Sequence, residues 1–266
     1  MTPNALVITA PGINCDLELC RAFEAAGATV ETMHLQRLVR TPSLVDGFRL
    51  IGLPGGFSYG DDVAAGRIMA QIIRQGLYPA LAAAIGRGVP TIAPCNGFQI
   101  AVQAGLLPGP PLGAPWPDEP ATATVALAQN RAARFRDVWT RVQIPAETRC
   151  VWTRGLVLSA PGDMLPSAHG EGRFVSDEET LALLGANGQI ALRYAPEDNF
   201  NGSMDNIAGI CDASGLVFGL MPHPERYTRW TQHPQWTRLD PRDRAGEPLG
   251  LRMFRQAVAH AKRVVV

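Results

Sequence analysis

Apolar residues in this chain fall into short unbroken runs separated by glycine- and proline-rich turns. Ala5 to Ala10 (A-L-V-I-T-A), Ala28 to His34, Arg49 to Leu53 and Val89 to Ala93 read as strands, apolar throughout where a one-sided strand would alternate. Between the first two, Leu17 to Ala26 reads as a helix, capped by Asn14 or Asp16 and stopped by Gly27. Phe98 to Ala104 reads as another, closed by Gly105. This β-loop-α-β rhythm predicts an α/β fold: a three-layer, flavodoxin-like sheet, mostly parallel, with helices on both faces. After a Pro/Gly-dense surface excursion, Pro108 to Pro120, the pattern changes. Thr122 to Ala128 and Val138 to Ile144 alternate, as antiparallel strands with one wet face do, and Cys150 to Gly155 and Gln189 to Tyr194 are further strand candidates. The second half therefore reads as an antiparallel extension of the sheet. Leu216 to Met221 is a last apolar strand. Arg229 to Pro248, rich in Trp, Arg and Pro, reads as a surface wrap. Leu249 to Val264 reads as a closing helix with Met253, Phe254, Ala257 and Val258 on its apolar face. The expectation is one domain over residues 1–266, with 228–266 as its tail.

Composition narrows the function. A hydrophobic fraction of 46% in 266 residues is ample for a core, and a net charge of zero gives no reason to expect a nucleic-acid or anionic-membrane partner. No apolar run approaches the ~20 residues that span a bilayer. Lys262 is the single lysine, so there is no G-K-[ST] phosphate loop and no Schiff-base candidate in the body of the chain. Five cysteines without a C-x-x-C pair fit neither a disulfide scaffold nor a zinc site, so no metal is expected and the location expected is cytoplasmic.

The candidate chemistry gathers in turns that follow strands. Cys95 stands at the corner between a strand and a helix, where a sharp turn exposes the central side chain and turns backbone N–H groups toward a reacting carbonyl. The first turn of the helix adds partial positive charge, which favours a thiolate. Small residues are needed beside such a corner, and Ala93 and Gly97 supply them. Gly56 to Gly60 (G-F-S-Y-G) also matches the elbow of serine hydrolases, so Ser58 competes with Cys95. The double glycine Gly55-Gly56 offers that turn another task, bringing N–H donors close to a substrate oxygen. Ser167 to Arg173 and Asn199 to Ser203 are polar turns. His223 and Glu225 are two apart between prolines, so an extended backbone puts them on one face. A carboxylate beside an imidazole fixes its tautomer and raises its basicity, as a base activating a thiol requires.

Six stretches, P-G-I-N-C-D (Pro11 to Asp16), G-G-F-S-Y-G-D (Gly55 to Asp61), C-N-G-F-Q (Cys95 to Gln99), H-G-E-G-R-F (His169 to Phe174), N-G-S (Asn201 to Ser203) and M-P-H-P-E-R (Met221 to Arg226), together resemble the triad (class I) glutamine amidotransferases. More closely, they resemble the glutaminases that serve a synthetase of purine biosynthesis. The resemblance implies Cys95 as nucleophile on the glutamine side-chain amide, His223 as the base that activates it, and Glu225 as the group orienting His223. It implies backbone N–H groups of Gly56 or Phe57, with Asn96, as the oxyanion hole. Gln99, Gly55, His169 and Gly170 would lie around the bound glutamine. It further implies a partner synthetase subunit that binds ATP, magnesium and formylglycinamide ribonucleotide, with a small third subunit in split systems, and no cofactor on this chain. The sequence departs from the pattern at Ala93, which holds the first glycine place of the elbow, and at Phe200, where proline is common. Its tail is more like the end of the fused single-chain enzymes. A serine hydrolase using Ser58 and a non-catalytic amidotransferase-like binding module are the competing readings.

Overall fold

A computed structural model describes residues 2–158 and 162–263. In chain order the regular elements are β1 (Asn4–Thr9), α1 (Asp16–Ala25), β2 (Thr29–His34), α2 (Leu35–Arg40), β3 (Leu50–Gly52), α3 (Arg67–Gly76), α4 (Tyr78–Gly86), β4 (Thr91–Pro94), α5 (Asn96–Gln103), β5 (Val125–Gln129), β6 (Arg136–Gln143), β7 (Met164–His169), β8 (Glu171–Ser176), α6 (Glu178–Ala186), β9 (Ile190–Tyr194), β10 (Ile207–Cys211), β11 (Val217–Leu220) and α7 (Leu249–Arg263).

Nine strands form one sheet in the order β2-β1-β3-β4-β11-β10-β9-β6-β7. The run from β2 to β11 is parallel, and β10, β9, β6 and β7 continue it as an antiparallel wing. Central strands β1, β3 and β4 are buried along nearly their whole length, which explains their unbroken apolar runs. Strand β2 lies at the sheet edge, and its polar T-V-E-T-M-H sequence leaves it largely exposed. Helices α1 and α7 pack together, and Phe254 of α7 meets Phe23 of α1 and Trp152 edge-on at 5.2 and 5.7 Å between ring centres.

Several expectations need correction. Helix α1 has no side-chain cap: Cys15 holds the cap position, so neither Asn14 nor Asp16 does that work. Residues 150–155 form turns instead of a strand, and Trp152 is fully buried there with its indole N–H donating to Leu216 O at 3.1 Å. The alternation at Thr122 to Ala128 becomes β5, which pairs only with β8, outside the main sheet. The His169 segment is two strands, β7 and β8, meeting at Gly170, where its glycines suggested a loop. Val264, the last residue of the expected closing helix, lies outside the described residues. Among the described residues, no single helix is long and apolar enough to cross a membrane.

Candidate active site

In a parallel sheet with strand order 2-1-3-4, the chain leaves β1 toward one side and β3 toward the other, and a crevice opens between their carboxyl ends. Two turns meet there. The turn after β1 bridges the turn after β3 at Ile13 and Gly56, with Phe57 N–H donating to Gly12 O at 2.9 Å and Asn14 N–H to Gly55 O at 3.4 Å. The approach tolerates no side chain: a Cβ on Gly56 would sit 2.8 Å from Asn14 N and Gly12 O, and its φ of +147° is itself glycine territory.

Cys95 stands one strand further along, between β4 and α5. Its φ of 52° and ψ of −111° lie far outside the regions a side chain prefers, a strain of order 1–3 kcal/mol. The corner is held by Cys95 N–H donating to Leu220 O at 2.7 Å, and by Gly97, where a Cβ would come within 2.0 Å of Leu53 O. The thiol faces a cavity of about 220 Å³, lined by Asn14, Cys15, Gly56, Phe57, Asp61 and Gln99 on one side and Ala168, His169, Gly170, Glu171, His223 and Arg226 on the other.

His223 follows β11 and is 1% exposed. Its ring Nδ1 lies 2.6 Å from Glu225 Oε1, a buried pair, and Nε2 has no hydrogen-bond partner among the described residues. Burial opposes charge on the ring, but the Glu225 carboxylate and the Cys95 and Cys15 thiols outweigh it, so the imidazole pKa is raised well above the ordinary value. An added Cβ on Gly55 would lie 3.0 Å from His223 Cε1 and 3.4 Å from Cys95 Cβ, so thiol and imidazole flank one glycine.

The expected oxyanion donors divide. Phe57 N–H already donates to Gly12 O. Gly56 N–H makes no such backbone bond, and Asn96 N–H opens α5, where the first N–H groups have no intrahelical acceptor. The Asn96 side chain ties the two turns together: its Oδ1 accepts from Ser58 N–H at 3.0 Å, and its Nδ2 donates to Asp61 Oδ1 at 3.2 Å and Gln99 Oε1 at 2.9 Å. Gln99 reaches across the cavity to donate to Glu171 O. Ser58 is buried, lies outside the cavity lining, and its hydroxyl has no partner among the described residues, so it lacks the base a serine nucleophile needs.

His169 lines the cavity with its ring turned to Asn130, Nδ1 donating to Oδ1 at 3.0 Å, while Asn130 Nδ2 donates to His169 O at 2.8 Å. Burial lowers the His169 pKa to about 3, so the ring is neutral at physiological pH. Four ionisable lining residues, Cys15, Asp61, Glu171 and Arg226, have no role that the sequence motifs alone assign. Burial raises the Asp61 carboxyl, against bonds from Gly66 N–H and Asn96, and Glu171 adds to the rise. All four lie in the quoted stretches: Cys15 in P-G-I-N-C-D, Asp61 in G-G-F-S-Y-G-D, Glu171 in H-G-E-G-R-F and Arg226 in M-P-H-P-E-R.

Residues 2–261 match the model of the CobB/CobQ-like glutamine amidotransferase domain. The phosphoribosylformylglycinamidine synthase subunit PurQ of Dehalococcoides mccartyi is 36% identical over 97% of this chain and 98% of its own length. The solved structure of PurLQS from Thermotoga maritima contains a chain 30% identical, covering 97% of this chain and 99% of that one with a TM-score of 0.71. A glutamine amidotransferase structure from the same organism, 12% identical with a TM-score of 0.50 over 97% of each chain, shares the fold.

Proposed function

This chain belongs to the CobB/CobQ-like glutamine amidotransferase family and is the glutaminase component of phosphoribosylformylglycinamidine synthase, and we propose that Cys95, His223 and Glu225 carry its chemistry. Its partners are the PurL synthetase and PurS subunits, as in the PurLQS assembly of Thermotoga maritima, and its product ammonia serves purine biosynthesis. The observation that carries the residue assignment is the strained Cys95 corner opening on the same cavity as the buried His223–Glu225 pair.

Glutamine enters with its side-chain amide over Cys95. His223 Nε2 takes the thiol proton, and the sulfur attacks the amide carbon. The oxygen gathers charge and is held by the N–H groups of Gly56 and Asn96. Losing one such donor costs on the order of 10² to 10³ in rate. His223 returns the proton to the leaving nitrogen, ammonia departs, and a glutamyl thioester remains on Cys95. Water, deprotonated by His223, then releases glutamate and restores the thiol. Glu225 holds Nδ1 and stabilises the imidazolium at each transfer. Gln99, Gly55, His169 and Gly170 shape the pocket around the amino acid. ATP and magnesium belong to the partner in this reading, consistent with a chain that has no phosphate loop. The whole chain serves as one amidotransferase domain, and the cytoplasm is its location, which five unbridged cysteines suit.

A diazoketone analogue of glutamine tests the assignment. It alkylates Cys95, found by peptide mapping, and glutamine protects the site. Labelling at Ser58, or none at Cys95, overturns it.

A further inference from the structure

Cys15 lines the cavity yet has no task in the reaction above. It is 2% exposed and sits at the start of α1. The Arg226 guanidinium donates to its sulfur at 2.9 Å, and the thiol donates to Asn14 Oδ1 at 3.3 Å. Its Sγ, a ring nitrogen of His223 and a carboxylate oxygen of Glu225 lie within 4.8 Å of one another. Gly55 measures how near Cys95 is: an added Cβ there would be 3.3 Å from Cys15 Sγ, 3.4 Å from Cys95 Cβ and 3.0 Å from His223 Cε1. Two thiols thus converge on one imidazole.

The other cysteines differ. Cys20, on the same helix, is pushed up to about 11 by burial and by Asp16 and Glu24, and does not line the cavity. Cys150 and Cys211 are fully buried in the core. Only the Cys15–Cys95 pair combines access to small solutes, a guanidinium donor and a shared base, the surroundings in which thiols are oxidised selectively.

We propose that Cys15 is the resolving thiol for Cys95, the two closing a disulfide when a hydroperoxide oxidises the nucleophile. The inference rests on Cys95 being the nucleophile. The Cys95 thiolate attacks the peroxide, an S–O bond forms, the O–O bond breaks, and Cys95 becomes a sulfenic acid with release of water or alcohol. The Cys15 sulfur then attacks the Cys95 sulfur. The S–S bond forms and the S–O bond breaks, and the departing hydroxide takes the Cys15 proton through His223 to leave as water. Two thiols and one peroxide give one disulfide and two molecules of water, or one of water and one of alcohol. Glutaminase chemistry stops, and a dithiol reductant restores it before Cys95 passes to the irreversible sulfinic acid.

The test treats the chain, assembled with its synthetase subunit, with hydrogen peroxide and then dithiothreitol. Wild type loses glutamine-dependent synthesis, the intact mass falls by two hydrogens, a Cys15–Cys95 cross-linked peptide appears, and dithiothreitol returns the activity. Cys15→Ala, and Cys15→Ser in case the first folds poorly, pass on to the sulfinic acid, gaining two oxygens on Cys95 under the same peroxide treatment, and dithiothreitol does not return their activity. A wild type that gains oxygen on Cys95 with no cross-linked peptide overturns the proposal. So does a Cys15 variant that recovers as fully as wild type. Glutamine-dependent synthesis before peroxide, compared with Cys95→Ala, reports separately on the nucleophile itself.

Discussion

At the scale of the residue, the site depends on what burial does to two histidines. His223 keeps its proton above the ordinary range because Glu225 and two thiols outweigh the cost of burial. Glu225→Gln removes the largest of those supports, so the ring loses its proton at lower pH. The expected result is a fall in kcat of about 10² to 10⁴, with KM little changed and the imidazole titration by NMR moved to lower pH. His169 behaves oppositely. Its folded-state pKa is lowered from 6.5 to about 3 by burial, so between those values the unfolded chain binds a proton that the folded chain refuses. Stability therefore falls as pH drops through this window, and urea midpoints should fall less steeply for His169→Gln than for wild type. The meeting of Cys95 and the His223–Glu225 pair at one cavity is legible in the sequence because these residue types and turn positions are tied to chemistry. The choice between Gly56 and Phe57 is not legible in the motif, which does not say which N–H already has an acceptor; the Gly12 carbonyl takes that of Phe57. The surroundings of Cys15 are not legible in the sequence because Arg226, which donates to its sulfur, is 211 positions away in the chain.

At the scale of the element, the corner between β4 and α5 works because a glycine lets the helix press on the neighbouring strand. Gly97→Ala puts a methyl 2.0 Å from Leu53 O, which backbone must move to relieve. Overpacking of this kind costs typically 1–3 kcal/mol, so the melting temperature should drop, and Asn96 and Cys95 shift with the helix, so glutaminase activity should fall further than stability alone explains. Asn96→Ala is the milder change. It frees Ser58 N–H and unties the Gly55–Asp61 turn, so KM for glutamine should rise while the melting temperature moves little. The buried parallel strands were readable as apolar runs, as was α7. Helix α4 is not legible as an amphipathic pattern because it is apolar nearly all round, with Tyr78, Leu81, Ala82, Ala84 and Ile85 buried, whereas Met69, Ala70 and Ile73 of α3 keep helical spacing. The 150–155 turn reads as a strand because Val151 and Trp152 are apolar; they serve the core beneath α7 without joining a sheet.

At the scale of the whole molecule, the site is the product of topology. The switch in direction between β1 and β3 opens the crevice, β4 delivers the thiol, β11 the imidazole and carboxylate, and the end of β7 with the start of β8 supplies the wall at Ala168 to Glu171. Closure at the tail is structural: Phe254→Ala, which removes the ring that meets both Phe23 and Trp152, should cost about 3–5 kcal/mol and lower the melting temperature without altering pH dependence. The sheet order and the pairing of β5 with β8 were not readable, since they rest on contacts between residues far apart in sequence. The ammonia made here is consumed on another subunit, so the two half-reactions separate cleanly in the assembled synthase. The decisive measurement is synthesis of formylglycinamidine ribonucleotide by the complex carrying Cys95→Ala, with glutamine or with ammonium as nitrogen source. Loss of glutamine-dependent synthesis with ammonium-dependent synthesis intact is the predicted result; glutamine-dependent synthesis surviving in Cys95→Ala would contradict it.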